Sequence, residues 1–301
     1  MEVRHRQIVL GCILAIGMGT NLSWHAQASE ATAAPDTIHT VSTAEWASLF
    51  DPAIDVAERR HALDTLERHA GTANGDELYL LGSLYHMGQH APGSPVDADS
   101  AKAAMYFANA AVRGNVLAMA KVAEVKYSAG DYREAMNWAQ IYAHYAPTIG
   151  MQGPAAQSYA GELVQRIKDN ISEQSMDAIM ADVSRFVAAN DKAIRAGIAG
   201  SGLDEPALHP NSHKRHFTTS PNERDPGAGV ADFLVAFRRD GTVDHVQLLD
   251  SVPYMEGTDR MRTYVASMNA EPGTAGDTST LRYIWMPIVM GNRLYHTREG
   301  R

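Results

Sequence analysis

The fold is decided by residues 81–88, whose sequence is LGSLYHMG. Together with the preceding Leu78, the apolar residues of this stretch recur at the three- and four-residue steps of a helix, which predicts one buried face. Gly82 lies inside the predicted helix, where glycine costs about 1 kcal/mol relative to alanine. We therefore expect Gly82 to allow a neighbouring helix to approach closely. That neighbour is predicted over residues 100–113, with Asp99 as its cap and Gly114 at its end.

A weaker copy of the pattern follows directly. Residues 127–130 repeat the Tyr-x-x-Gly string of residues 85–88, and residues 135–139 repeat the Ala-Met-x-aromatic-Ala string of residues 104–108. Helices are predicted over residues 118–129 and 132–145, joined by a loop 11 residues shorter than in the first copy. Helical pairs of this kind bury their apolar faces only by stacking. Residues 42–152 are therefore predicted to form a short helical-repeat solenoid.

Further helices extend the array on both sides. An early helix is predicted to begin at the Asp51-Pro52 pair, since aspartate is a good cap and proline suits a first turn. Two long helices, within residues 153–204, are predicted to complete the solenoid. Residues 205–228 are rich in Pro, His, Asn, Ser and Gly, which indicates a linker.

The last 70 residues or so show a different periodicity. Phe233, Val235 and Phe237 alternate with other residues as in a strand, and Asp240-Gly241 is a tight-turn signal before a returning strand from Val243. A helix over residues 259–268 and a strand over 280–290 follow. Residues 229–296 are therefore predicted to be a small ββαβ domain, and the whole chain an α+β protein.

Two family resemblances accompany these patterns. The first block contains a set of residues typical of a helical repeat: Leu81-Gly82, Tyr85, Gly88, Asp97, Lys102-Ala103, Ala110-Ala111 and Gly114. On these residues the block resembles a Sel-one-like repeat, a relative of the tetratricopeptide repeat. In the second block Glu124 stands where that family has glycine. Residues 229–294 resemble the C-terminal domain of the TonB family, on Asp240-Gly241-Thr242-Val243, Leu248 to Ser251, Glu271-Pro272 and Pro287-Ile288. That resemblance implies binding of extended peptides at a sheet edge, although the proline-rich spacer of that family is missing.

The N-terminus has the pattern of an export signal. Arg4 and Arg6 precede an apolar run, and Ala26-Gln27-Ala28 has the small-x-small form of a cleavage site. Residues 1–28 are therefore predicted to be a signal peptide and residues 29–41 a flexible leader. Together with the resemblance to the TonB family, this signal predicts that the mature protein lies in the periplasm of a Gram-negative bacterium. The alternative is an uncleaved membrane anchor, since residues 7–24 approach the minimum length of a bilayer-spanning helix.

Net charge and cysteine content argue against nucleic-acid binding and against thiol chemistry. The chain of 301 residues has a formal net charge of −9, and removal of the signal segment, with a charge of +1, leaves about −10. An acidic chain without a basic stripe is not expected to bind nucleic acid. The only cysteine, Cys12, lies in the signal segment, so the mature chain is expected to have neither disulfides nor thiol chemistry.

Catalytic and metal-binding patterns are weak. His209, His213 and His216 have ligand-like spacing, but Pro210 interrupts the segment, and we interpret it as a solvated linker rather than a metal site. His245 and Ser251 are too far apart on an extended strand to form a base–nucleophile pair. We therefore expect no enzyme, no metal and no cofactor, and we keep a secreted hydrolase without a recognisable motif as the second alternative.

Binding to another protein is the favoured function. Tyr283 and Trp285 lie two positions apart on the last predicted strand, so their side chains share one face and are candidates for binding a partner peptide or for filling the core. Pro287 on the same strand suits a sheet edge. We expect a non-catalytic adaptor that binds a protein or peptide of the cell envelope through its repeats, its sheet edge or both. The first alternative is an inner-membrane-anchored, TonB-like transport or signalling component, in contact with a membrane only through an uncleaved signal segment.

Overall fold

The computed structural model describes residues 45, 48–51, 54–91, 93–149, 154–172, 175–200, 208–210, 228–253, 258–272 and 281–291. The predicted signal peptide, the leader and most of the predicted linker lie outside the described residues. The chain divides into the unit Met1–Thr37, which is not described, and the compact unit Ile38–Arg301. Across the described ranges, no helix has the length and apolar character needed to cross a bilayer.

The described residues contain eight α-helices, two short 3-10 helices (Gly88–His90 and Ala146–Ile149) and five strands. Their chain order is helix-rich first and strand-rich last, as predicted. The helices are α1 Val56–His69, α2 Gly75–Met87, α3 Ser100–Val112, α4 Val116–Ser128, α5 Tyr132–Tyr145, α6 Pro154–Lys168, α7 Met176–Gly200 and α8 Thr258–Val265. The strands are β1 Leu208–Pro210, β2 Gly229–Arg238, β3 Val243–Val252, β4 Met268–Ala270 and β5 Leu281–Met290.

Consecutive helices pack in pairs, which confirms the predicted helical-pair pattern. Helix α2 packs on α3 and α4 packs on α5, while α3 and α4 join the two pairs and α6 and α7 lie against α5. The predicted close approach at Gly82 is also confirmed, because a Cβ atom there would lie 2.6 Å from two ring carbons of Phe107 in α3. Helices α2 and α4 differ from the prediction in being buried on nearly every side, since each lies between other helices and the sheet.

Polar side chains fix the helix ends. Asn74 and Glu77 form a reciprocal capping box at the start of α2, and the side chain of Asp99 accepts a hydrogen bond from the backbone of Lys102 at the start of α3. Asp131 caps α5 in the same way. Gly114 follows α3 with a φ of +95°, a conformation that favours glycine. The caps at Asp99 and Gly114 agree with the sequence prediction.

The first helix begins later than predicted. Helix α1 starts at Val56, where the side chain of Asp55 accepts a hydrogen bond from the backbone N–H of Ala57 at 2.8 Å. The predicted start at Asp51 is therefore wrong by about one turn. Two aspartates four residues apart offer the same capping chemistry, and the sequence alone does not distinguish them.

The strands form a three-stranded antiparallel sheet in the order β3-β2-β5, and β1 pairs with β4 separately. Gly241 has a φ of +85° in the tight turn between β2 and β3, as the Asp240-Gly241 pair predicts. Central strand β2 is buried over nine of its ten residues. Helices α2 and α4 contact β3, α6 contacts β5, and α8 packs on β2 and β3. The result is a mostly helical protein with a small antiparallel sheet at its C-terminal end.

Candidate functional site

A fully buried lysine joins the helices to the sheet. The ammonium group of Lys121 in α4 donates to Ser83 Oγ at 2.7 Å, to Asp232 Oδ2 at 2.5 Å and to Asp250 Oδ2 at 2.5 Å. An ammonium group has three donors, so each of its hydrogens has an acceptor. The three acceptors come from α2, β2 and β3. Lys121 therefore connects two helices, one from each helical pair, to two strands.

Asp232 accepts hydrogen bonds from two further buried side chains. The Tyr79 hydroxyl lies 2.9 Å and 2.8 Å from its two carboxylate oxygens, and Trp285 Nε1 donates to Oδ1 at 3.1 Å. Burial raises the pKa of Asp232, Lys121 opposes that shift, and Asp250 reinforces it. Burial and Asp232 also raise the pKa of Tyr79, which keeps the phenol protonated.

Asp250 lies directly opposite Asp232 in the antiparallel register. Two like charges in opposing positions destabilise a sheet. Here Lys121 lies between them, and His86 Nδ1 and the Ser251 backbone N–H both lie within hydrogen-bonding distance of Asp250 Oδ1, at 2.7 and 2.9 Å. Burial alone would raise the pKa of Asp250, but His86 and Lys121 outweigh it and hold that pKa below its ordinary value.

A third buried carboxylate lies beside this network. Glu124, one turn after Lys121 in α4, accepts from Arg166 at 2.6 Å and from the Tyr159 hydroxyl at 3.2 Å, both through Oε1. Its Oε2 atom is buried and has no hydrogen-bond partner among the described residues. Burial raises the pKa of Glu124, and Arg166 only partly opposes this. The glycine-to-glutamate departure from the repeat pattern thus places a carboxylate in the protein interior.

A groove at β3, an outer strand of the described sheet, is the candidate binding site. We call it the edge groove. Its cavity volume is about 500 Å³. Four consecutive β3 residues, 245–248, line it, and alternating residues of a strand point to opposite faces. The lining also includes Leu281 and Tyr283 of β5, so the cavity extends from β3 towards the opposite strand of the sheet. The lining residues are Phe50, Asp51, Gly93, His245, Val246, Gln247, Leu248, Arg262, Leu281 and Tyr283.

The two predicted peptide-binding residues have different environments. Tyr283 lines the edge groove, and its ring meets that of His245 edge-on at a centroid distance of 6.1 Å. Trp285 is 7% exposed and lies 5.2 Å from the Tyr79 ring, between the sheet and α2. Its indole N–H is used by Asp232. Only Tyr283 of this pair is therefore placed to touch a ligand in the groove.

A second cavity lies on the repeat side of the molecule. It has a volume of about 440 Å³ and opens between α1, the end of α2 and the segment before α3. Its described lining contains three aspartates, one tyrosine and one basic residue, Arg60. The residues are Arg60, Leu63, Asp64, Tyr85, Pro95, Val96, Asp97, Ala98 and Asp99.

The histidines and the serine considered from the sequence do not form a site among the described residues. His213 and His216 lie outside the described residues, and of His209 only the backbone in β1 is described. Within the described residues, no group of three or more potential ligands could hold a metal ion. His245 is half-exposed and pairs with Asp244 at 3.0 Å, whereas Ser251 is buried in a different row of the sheet, opposite Ala231. The structure does not bring His245 and Ser251 together.

Comparison with known proteins does not assign this chain to a family. No protein-family model matches the sequence, and no curated protein matches it. One solved structure, a protective antigen of uropathogenic Escherichia coli strains displaying an SLR fold, is similar with a TM-score of 0.38 and 15% identity. The likeness covers 61% of this chain and 34% of that one, so this chain spans about a third of that protein. The helical-pair architecture therefore rests on the packing within this chain.

Sequence reasoning missed the buried charge network. Lys121 is the only charged residue between Val116 and Ala123, and Asp232 is the only one between Gly229 and Phe237. A single charge in an apolar run is expensive to bury unless it is paired. That pattern is a usable signal for each residue, although it does not say which residues pair.

Proposed function

We propose that this protein is a non-catalytic, exported adaptor that binds an extended peptide along the edge groove. The observation that carries the proposal is the row of four consecutive β3 residues lining that groove. Among the described residues β3 has a ladder partner only in β2, and we infer that a further strand can add on its other side. An extended peptide can add to such an edge through main-chain hydrogen bonds, while flanking pockets select alternate side chains.

The groove lining indicates what such a peptide would present. Phe50, Leu248 and Tyr283 provide apolar and aromatic surface, while Asp51 and Arg262 supply one charge of each sign. Apolar anchors within a polar rim are typical of peptide and protein interfaces. The ten lining residues include no serine, threonine or cysteine, which supports binding over hydrolysis at this groove. We infer a peptide with an aromatic or aliphatic side chain at alternate positions.

The resemblance of residues 229–294 to the TonB C-terminal domain supports the same binding mode, because that family binds extended peptides at a sheet edge. The repeat-side cavity supports a second contact surface on α1 and α2. Export rests on the signal pattern of residues 1–28. The mass of the protein recovered from the periplasm tests it: a chain beginning at Ser29 supports export with cleavage, and retention of residue 1 favours the membrane-anchored alternative.

The binding proposal is tested with peptides selected from a random phage-displayed library on the full mature chain. Calorimetry then compares their affinities for the wild type, Tyr283→Ala and the control Tyr132→Ala, whose ring lies on α5. We expect Tyr283→Ala to weaken binding by about tenfold or more, as for an interface anchor, and Tyr132→Ala to leave it unchanged.

Strand addition also requires main-chain hydrogen bonds from the peptide. N-methylation of alternate peptide amides removes main-chain donors without changing side chains, so one of the two methylation registers is expected to abolish binding. Peptides that bind Tyr283→Ala as tightly as the wild type, or that tolerate both methylation registers, would contradict the proposal.

A further inference from the structure

Six ionisable side chains form a connected group where the helices meet the sheet, and we call this group the junction. Lys121 contacts both aspartates, and His86 contacts Asp250 at 2.7 Å. His86 also interacts electrostatically with Glu124, which is paired with Arg166. The members are His86, Lys121, Glu124, Arg166, Asp232 and Asp250.

The fixed charges of the junction do not balance. Three carboxylates face two permanent cations, Lys121 and Arg166. The side chains of Lys121, Asp232 and Asp250 have no exposed surface, and that of Glu124 is 2% exposed. An uncompensated charge in such surroundings is strongly unfavourable, so proteins neutralise it instead.

The remaining polar neighbours do not change this count. Burial and adjacent carboxylates raise the pKa of Tyr79 and of Tyr159, so both phenols stay neutral and add no charge. Burial likewise raises the pKa of Tyr142, which lies beside Tyr159. By element, the titratable or charged described groups facing the junction are Tyr79 and His86 on α2, Lys121, Glu124 and Tyr127 on α4, Tyr142 on α5, Tyr159 and Arg166 on α6, Asp232 on β2 and Asp250 on β3.

We propose that the junction holds one further proton, shared among His86, Asp232 and Glu124, and that the folded protein loses stability as this proton leaves at higher pH. The proton makes three positive charges face three carboxylates, or leaves two ionised carboxylates facing two cations. Either arrangement is neutral. The contact between helices and sheet is then linked to pH through a defined group of side chains.

The placement of the three candidate carriers agrees with this. The His86 side chain is 23% exposed, so protons can reach the junction from solvent. Burial favours the protonated forms of Asp232 and Glu124, since it raises the pKa of each. A group whose folded-state pKa is raised stabilises the fold at low pH, and that stabilisation is lost as pH rises through the folded pKa.

The experiment is urea unfolding of the full chain between about pH 5.5 and 8.5, for the wild type, Glu124→Gln, Asp232→Asn and the exposed control Asp169→Asn. One linked proton raises the unfolding equilibrium constant by up to tenfold per pH unit. Each buried variant has two carboxylates and two cations, so we expect this contribution to disappear. Asp169→Asn is expected to keep the wild-type pH dependence. Wild-type pH dependence in both buried variants would overturn the proposal.

A direct count of released protons tests the proposal even if the Asp232→Asn variant does not fold. Calorimetric unfolding near pH 7 in two buffers of different ionisation enthalpy gives the number of protons released. We expect the wild type to release more protons than Glu124→Gln, by up to one. Equal release from the two proteins would overturn the proposal irrespective of how Asp232→Asn behaves.

Discussion

Gly82 of α2 lies so close to Phe107 of α3 that a Cβ atom at position 82 would come within 2.6 Å of two ring carbons. The Phe107 ring in turn lies 5.7 Å from the Tyr79 ring and 5.1 Å from the Lys121 ammonium group. The distance between the first two helices of the repeat is therefore linked to the position of the charge network.

Replacing Gly82 with alanine is expected to destabilise the protein. Alanine favours a helix by about 1 kcal/mol over glycine, but displacing Phe107 overpacks the core at a cost of about 1–3 kcal/mol. The control is Gly161→Ala in α6, where a Cβ atom meets nothing within 4 Å and helix propensity predicts a gain. Urea unfolding of both variants measures the difference, and equal gains would contradict the close-packing interpretation.

A second close approach holds α7 against the repeats. A Cβ atom at Gly197 would lie 2.0 Å from the carbonyl oxygen of Arg113, whereas one at Gly200, in the same helix, meets nothing within 4 Å. We expect Gly197→Ala to lower the thermal midpoint and Gly200→Ala to leave it unchanged or raise it. A Gly197→Ala variant as stable as the wild type would show that α7 shifts without cost.

Lys121→Met is expected to be strongly destabilising. It leaves two buried carboxylates without their cation, which costs about 3–5 kcal/mol in comparable pairs. Lys126→Met in the same helix removes a half-exposed pair with Asp131 at 3.5 Å and should cost less than about 1 kcal/mol. Denaturant unfolding compares the two. Adding Asp232→Asn and Asp250→Asn to Lys121→Met should recover part of the loss, and a further loss would argue against charge imbalance as the cause.

Asp250 is expected to contribute to acid unfolding. Its pKa is held below the ordinary 3.8, so the ionised form stabilises the fold above that pH, and the stabilisation is lost as pH falls through the lower folded-state pKa. Circular dichroism during acid titration should show a shallower loss of stability below about pH 4 for Asp250→Asn than for the wild type. Asp169→Asn, at an exposed position, serves as the control and should follow the wild-type profile.

Local signals were sufficient for the helical pairs and for the first hairpin of the sheet. Caps such as Asp99, the Gly82 contact and the Asp240-Gly241 turn all act within a few residues or between adjacent helices, so periodicity and turn chemistry reveal them. The division into a repeat domain and a C-terminal domain stays a prediction, as do the signal peptide and the TonB-like assignment.

The charge network could not be predicted because its pairing is distant in sequence. Lys121 and Asp250 are 129 positions apart, and Tyr79 and Asp232 are 153 apart. No periodicity links such residues. The burial of Trp285 could not be predicted for the same reason. Its strand position indicates a face shared with Tyr283. Only the helices packed on that face determine that Trp285 is covered and that Tyr283 lines the groove.

The three-acceptor arrangement around Lys121 also acts on strand alignment. A one-residue slip of β2 against its neighbours would turn the side chain of Asp232 to the other face, away from the ammonium group and from Trp285. A two-residue slip would restore the face but place Asp232 one row away from Asp250. The side chain of Lys121 in a helix thus stabilises one register of β2 against β3. Correct pairing of the sheet therefore depends on the helices that position this lysine.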